Sequence, residues 1–186
     1  MGKLSRLFLP YLRWRHSKGY GVHSPFAFSI VQTCVSPGPY GYYGYAPVER
    51  AWLTNPNNMV SRKDAFLLLR LAINLKAKRI FIAPGKDNVA EEIAHAASAV
   101  CSSFQLADAE KYGHGDLIVS LGASVPDSAI NDILAHGSAI VAFNPSKSIR
   151  KALNEGFERG MVMEGKRIML AVPRQEMAKV YYSMKF

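Results

Sequence analysis

Residues 116–143, DLIVSLGASVPDSAINDILAHGSAIVAF, decide the fold. Two short apolar runs, Asp116–Leu121 and Ala139–Phe143, enclose a helical segment over Asp127–Ala135. Runs of this kind read as strands buried on both faces, and strands separated by helices make a parallel sheet. Upstream, Arg79–Ala83 (RIFIA) reads as a short buried strand, Asn88–Val100 as a helix and Ser103–Ala107 as a second strand. Downstream, a helix over Lys147–Phe157 precedes two strands, Met161–Met163 and Arg167–Val172, which flank the tight turn Glu164-Gly165-Lys166. Lys179–Lys185 reads as a last strand. The expected architecture is α/β, a Rossmann-like three-layer αβα with a mostly parallel sheet and an antiparallel C-terminal edge. The Arg79 strand is expected at its centre, flanked by the strands at Ser103 and Asp116.

Upstream of this region, Ser61 can cap a helix running to Leu75, with Phe66, Leu67, Leu69, Leu71 and Ile73 giving it a broad apolar surface. Residues 1–58 read as a helical appendage and 59–186 as the Rossmann domain. Leu4, Leu7, Phe8, Tyr11 and Leu12 have helical spacing, with Pro10 as a kink or restart. Arg13, Arg15 and Lys18 flank Trp14, so this helix either lies on a membrane surface or packs its apolar stripe on its own domain. Ser24-Pro25 is a helix start, serine as N-cap and proline in the first turn. From there Phe26, Ala27, Ile30, Val31 and Cys34 make one apolar face, of which Phe26, Ile30 and Val31 are expected to bury against the domain or a second subunit. Residues 36–47, SPGPYGYYGYAP, form a Gly/Pro/Tyr loop. Its tyrosines either stack on a flat ligand or pin the loop to the body.

The 186 residues are 49% apolar, which suffices for a core and excludes wholesale disorder. No apolar run has the length of a membrane span, since Phe66–Leu75 is broken by Arg70 and Asn74. Leu7–Leu12 is too short for a secretory signal, so a cytoplasmic location is expected. Cys34 and Cys101 stand alone, without zinc or disulfide spacing. The net charge of +9 is segregated: residues 87–132 carry −7, and the three segments 1–48, 49–86 and 133–186 carry +5, +6 and +5. Basic ends around an acidic middle suit either a phosphate-rich partner or an ordinary dipolar surface.

The helix, βα units and closing hairpin resemble the class I S-adenosylmethionine-dependent methyltransferase fold. Residues 15–26, RHSKGYGVHSPF, resemble the R-H-G-[IV]-H-S-P-F opening of a group of small O-methyltransferase-like proteins. The tail, LAVPRQEMAKVYYSMKF, is similar to theirs, where an extra edge strand ends the chain.

In that family the first strand ends in an acid and a glycine-rich turn, E-x-G-x-x-x-G. Glycine lets the backbone approach the cofactor, and the following helix N-terminus faces it. Here the segment is Ile82-Ala83-Pro84-Gly85-Lys86-Asp87-Asn88. Gly85 matches, the acid is absent, and Pro84 removes a backbone donor. Gly85-Lys86 also lacks the flanking residues of a P-loop, and Asp87 or Asn88 reads as a helix cap. At the end of the second strand Asp108, with Glu110 as second choice, stands where an acid holds the cofactor ribose. The resemblance therefore implies S-adenosylmethionine contacts at Ala83, Gly85, Asp108 and Gly122. Only Ala109–Gly115 separates Asp108 from the next strand, where the family fits the elements that line the adenine.

Metal-assisted members place carboxylates after the family's fourth and fifth strands. Gly122-Ala123-Ser124 and Asn144-Pro145-Ser146 stand there instead, and Asp116 begins its strand, at the wrong end. No catalytic metal is expected. Asn144-Pro145 has a superficial likeness to N-P-P-[YF], but it reads as a turn with Ser146 capping the next helix. His23, His95, His114 and His136 form no acid/base constellation, and the catalytic residues are not identified by the sequence.

Two functions follow: a methyltransferase-like protein with weak or no catalysis, positioning a small-molecule or protein acceptor, or a non-catalytic binding or assembly module, with homo-oligomers compatible with either. A third reading is RNA binding through Arg6, Arg13, Arg15, Lys18 and the tyrosine loop, which steep salt dependence would reveal.

Overall fold

The computed structural model describes residues 3–38, 44–54, 60–83, 93, 105–106, 113–121, 125 and 127–186. The chain runs α1 (Lys3–Ser17), α2 (Pro25–Ile30), a π-helical segment (Val31–Val35), α3 (Tyr45–Thr54) and α4 (Arg62–Asn74). Then follow β1 (Arg79–Ala83), β2 (Gln105–Leu106), β3 (Leu117–Leu121), α5 (Asp127–Ala135), β4 (Ala139–Phe143) and α6 (Lys147–Glu155). The chain closes with β5 (Gly160–Glu164), β6 (Ile168–Pro173) and β7 (Val180–Ser183). Among the described residues no helix is long and apolar enough to cross a membrane.

The strands form one seven-stranded sheet in the order β2-β1-β3-β4-β6-β5-β7. β1 pairs in parallel with β2 and β3, and β3 with β4. β1 is thus flanked by the two strands expected beside it. It does not lie at the centre, because the hairpin and β7 all add on the far side of β4 and leave β4 as the middle strand. The hairpin forms, but it is not an antiparallel edge. β6 alone is reversed, pairing antiparallel with both β4 and β5, so it lies inside the sheet. Because β6 ends at the amino edge of the sheet, the next strand starts there, and β7 closes the edge parallel to β5.

Alternate residues of each strand enter opposite cores, as a period of two requires. Ile80, Leu117, Val119, Val141 and Phe143 face α2, the π-helical segment, α3 and α4. Phe81, Ile118, Ile140 and Ala142 face Ile130, Ile133 and Leu134 of α5 and Ile149 and Leu153 of α6. The N-terminal elements supply Ala27, Ile30, Val31, Cys34 and Val48 to the first of these cores. The expected boundary at 58–59 lies outside the described residues.

Helix starts follow local chemistry. Ser24 accepts from the Ala27 amide at 3.3 Å with Pro25 in the first turn, and Ser146 accepts from Ile149 N at 3.2 Å. Ser61 and Asp64 close a reciprocal capping box at the head of α4. Between α1 and α2 the chain turns at Gly19, whose φ of +86° and 2.6 Å clearance to the Phe28 ring admit only glycine. The Gly/Pro/Tyr loop is shorter than its composition implies, since α3 already begins at Tyr45 and carries Pro47 in its first turn.

α1 docks in reverse. Its inward side is polar: Arg13 Nε donates to Ser183 Oγ at 3.4 Å, His16 Nδ1 lies 2.9 Å from the Ser183 carbonyl, and Ser17 Oγ accepts from Lys185 N at 2.6 Å. Phe8, Tyr11 and Leu12 of the apolar stripe, and Trp14, are exposed, so these residues do not pack on the domain. The inward positions spaced along this helix, Arg13, His16 and Ser17, are polar, and β7 offers them backbone and hydroxyl groups rather than an apolar groove. Pro10 lies inside the helix without ending it.

Candidate functional site

In an open parallel sheet, ligands bind outside the carboxyl ends of the strands where the strand order reverses. That point falls between β1 and β3. Ala83 ends β1 and pairs with Ser120, placing the backbone of the first expected contact at this crevice. Gly85, Asp108 and Gly122 lie outside the described residues, as do Pro84, Lys86 and most of the expected 88–100 helix. Ile93 of that helix is helical and buried.

The opposite end of the same strands holds a structural ion pair. Arg79 Nε and Nη2 donate to Asp116 at 3.0 and 2.6 Å, and Gly113 N donates to Asp116 Oδ2 at 2.6 Å. Asp116 therefore fastens the amino edge of the sheet, in keeping with its expected placement away from the site.

At the carboxyl end of β4, Asn144 has φ +49° and donates its amide to the Arg167 carbonyl at 2.6 Å. Asn144-Pro145 is thus a turn into the Ser146 cap. Among the described residues no three His, Cys, Asp or Glu side chains come together as a metal site. Tyr181 donates its hydroxyl to Glu164, and burial first, then Glu164, pushes its pKa far above the ordinary range.

The His23–Phe26 motif is structural in this chain. Ser24 caps α2, its amide lies 3.5 Å from the Tyr182 hydroxyl, and Arg174 sits 4.2 Å over the half-buried Phe26 ring. His23 is exposed. The motif thereby fixes the start of α2 against the sheet edge.

Sequence reading did not reveal a cavity of about 680 Å³ where the head of α4, the start of β6 and the segment after β7 meet. Because β6 is reversed, its start lies on the carboxyl side of the sheet, beside Phe143. The cavity's cations are Arg13, Lys63, Arg70, Lys166, Arg167 and Lys185, against Asp64 alone among the described lining residues. Phe66, Leu67, Ile168 and Met184 supply apolar surface. A second cavity of about 450 Å³, reaching Trp52, Phe143 and Asn144, shares Ser61, Asp64 and Arg167 with it. Arg167 Nη2 donates to Asp64 Oδ2 at 2.6 Å, a pair common to both. Arg70 is buried beneath, donating to the Cys34 carbonyl at 2.9 Å and the Tyr45 hydroxyl at 2.7 Å. A polar crossing of this kind, assembled from α4, the hairpin turn and the tail, has no contiguous motif that sequence inspection would find.

Compared with known protein families, curated proteins and solved structures, the chain matches none.

Proposed function

We propose that this chain is an S-adenosylmethionine-dependent methyltransferase-like protein whose catalysis is weak or lost and which acts as a binding module. The observation that carries the reading is the strand order: one reversed strand, β6, set between β4 and β5 of an otherwise parallel sheet. A closing hairpin after βα units is the feature on which the resemblance to that fold rests. On this reading a nucleoside cofactor sits at the switch point between β1 and β3, where the backbone of Ala83 ends β1. S-adenosylmethionine supplies an electrophilic methyl group when bound, and the chain's part is to hold it and to orient an acceptor.

The residues support the reduced activity. Pro84 and Lys86 stand in the sequence where the family's glycine-rich motif has small residues, and no acid precedes Gly85. Asn144, a turn residue with no carboxylate, follows β4. A test is ultraviolet photolabelling of the full chain with tritiated S-adenosylmethionine. The expected result is labelling no stronger than that of Gly85→Val. Strong labelling that Gly85→Val and Asp108→Ala both abolish would establish a working cofactor site.

A further inference from the structure

We infer that the cavity between the head of α4, the β5–β6 turn and the segment after β7 binds an amphipathic anion, a phosphate or carboxylate head on a compact apolar body. This goes beyond the methyltransferase reading and needs no cofactor. The argument starts from which cations are already engaged. Arg70 is committed to Cys34 and Tyr45, Arg13 to Ser183, and Arg167 to Asp64. Asp64 is itself occupied twice, by Arg167 and by the Ser61 amide. Lys63, Lys166 and Lys185 remain, and their ammonium groups have no ion-pair partner among the described residues.

These three lysines come from three different elements and line one concavity. Like charges gathered in a recess with low-dielectric walls repel one another and focus a positive potential, which an anion relieves. The amino end of the α4 macrodipole, at Ser61, adds to the same sign. In the same lining, Leu67, Ile168 and Met184 are buried apolar wall, Phe66 is stacked on Tyr45 at 4.4 Å, and Trp14 is half exposed. Charge alone would suit inorganic phosphate. The apolar wall and a volume of about 680 Å³ select a head group that carries a ring or short chain.

The test titrates the full chain with 1-naphthyl phosphate by calorimetry, in the absence of S-adenosylmethionine, beside 1-naphthol and inorganic phosphate. The expected result is binding at least about tenfold tighter than either fragment. Lys63→Glu with Lys166→Glu should weaken it at least about tenfold at an unchanged thermal midpoint, whereas Lys151→Glu on α6 should not. Flotation with phosphatidylglycerol vesicles, against phosphatidylcholine alone, separates the two sources of such an anion. Anionic flotation lost in the double variant assigns a lipid head group. Naphthyl phosphate binding without flotation assigns a free solute. The inference is overturned if inorganic phosphate binds as tightly as 1-naphthyl phosphate, if the lysine variants bind normally, or if neither probe binds. Flotation that survives the double variant would equally overturn it, moving the contact to the exposed face of α1.

Discussion

Arg70 sits in the apolar face of α4 that the sequence assigns to the core, and it is itself buried. Its charge survives there because Nε and Nη1 meet the Cys34 carbonyl and the Tyr45 hydroxyl. Tyr45→Phe removes one of these acceptors and should lower unfolding stability by about 1–3 kcal/mol in urea titration, more than a surface Tyr→Phe change. The Cys34 thiol lies against the same group. Burial pushes its pKa from 9.0 up to about 11, opposed by the Thr33 hydroxyl, the Arg70 charge and the Asn74 amide. The folded value exceeds the unfolded one, so the folded state keeps its proton longer. This contribution is complete below about pH 9 and is lost as pH rises through about 11. Urea unfolding between pH 8 and 11 should show the parent losing roughly 2 kcal/mol more than Cys34→Ala across that window. Equal slopes in the two proteins would refute the assignment. Neither partner of Arg70 is legible in the sequence, since Cys34 and Tyr45 meet it only after three helices have packed.

Elements whose causes are local could be read directly. Ser24, Ser61 and Ser146 all cap the helices expected of them, because a serine hydroxyl needs only the amide three residues on. Ser61→Ala should therefore cost about 1 kcal/mol in the urea midpoint, with Ser61→Asp near neutral. Phe26→Ala tests the docking of α2. Its ring is half buried under Arg174, so the loss should be about 1–2 kcal/mol, below the 3–5 typical of full burial. A loss at the upper value would mean the ring is more enclosed than its exposure indicates. What escaped sequence reading was α3, whose first turn overlaps the end of the Gly/Pro/Tyr stretch, and the placement of β6 between β4 and β5. The turn Glu164-Gly165-Lys166 specifies that two strands pair, not which edge meets the rest of the sheet.

At the scale of the molecule, one sheet separates two helical layers, and segments far apart in the chain converge on its carboxyl edge. The switch point over Ala83 was foreseeable from the order of strands and helices. The basic cavity was not, because Lys63, Lys166 and Lys185 are single cations in ordinary surroundings until α4, the hairpin and the tail bring them together. Nor could the sequence choose between the two placements of the α1 stripe, since apolar spacing reveals a helix face but not the direction in which that face points; Phe8, Tyr11 and Leu12 are exposed.

We propose a methyltransferase-like sheet with a reduced cofactor site. On that proposal, the short stretch of sequence between Asp108 and Asp116 leaves no room for the family's adenine-lining elements, and about 100 Å² less apolar burial would weaken cofactor binding by roughly 2–3 kcal/mol, near a hundredfold. Calorimetric titration of the full chain with S-adenosylmethionine and S-adenosylhomocysteine at millimolar concentration measures this directly. The account predicts no saturable binding, or a dissociation constant weaker than about 1 mM for both. Micromolar affinity that Gly85→Val and Asp108→Ala each abolish would contradict it and define an intact cofactor site.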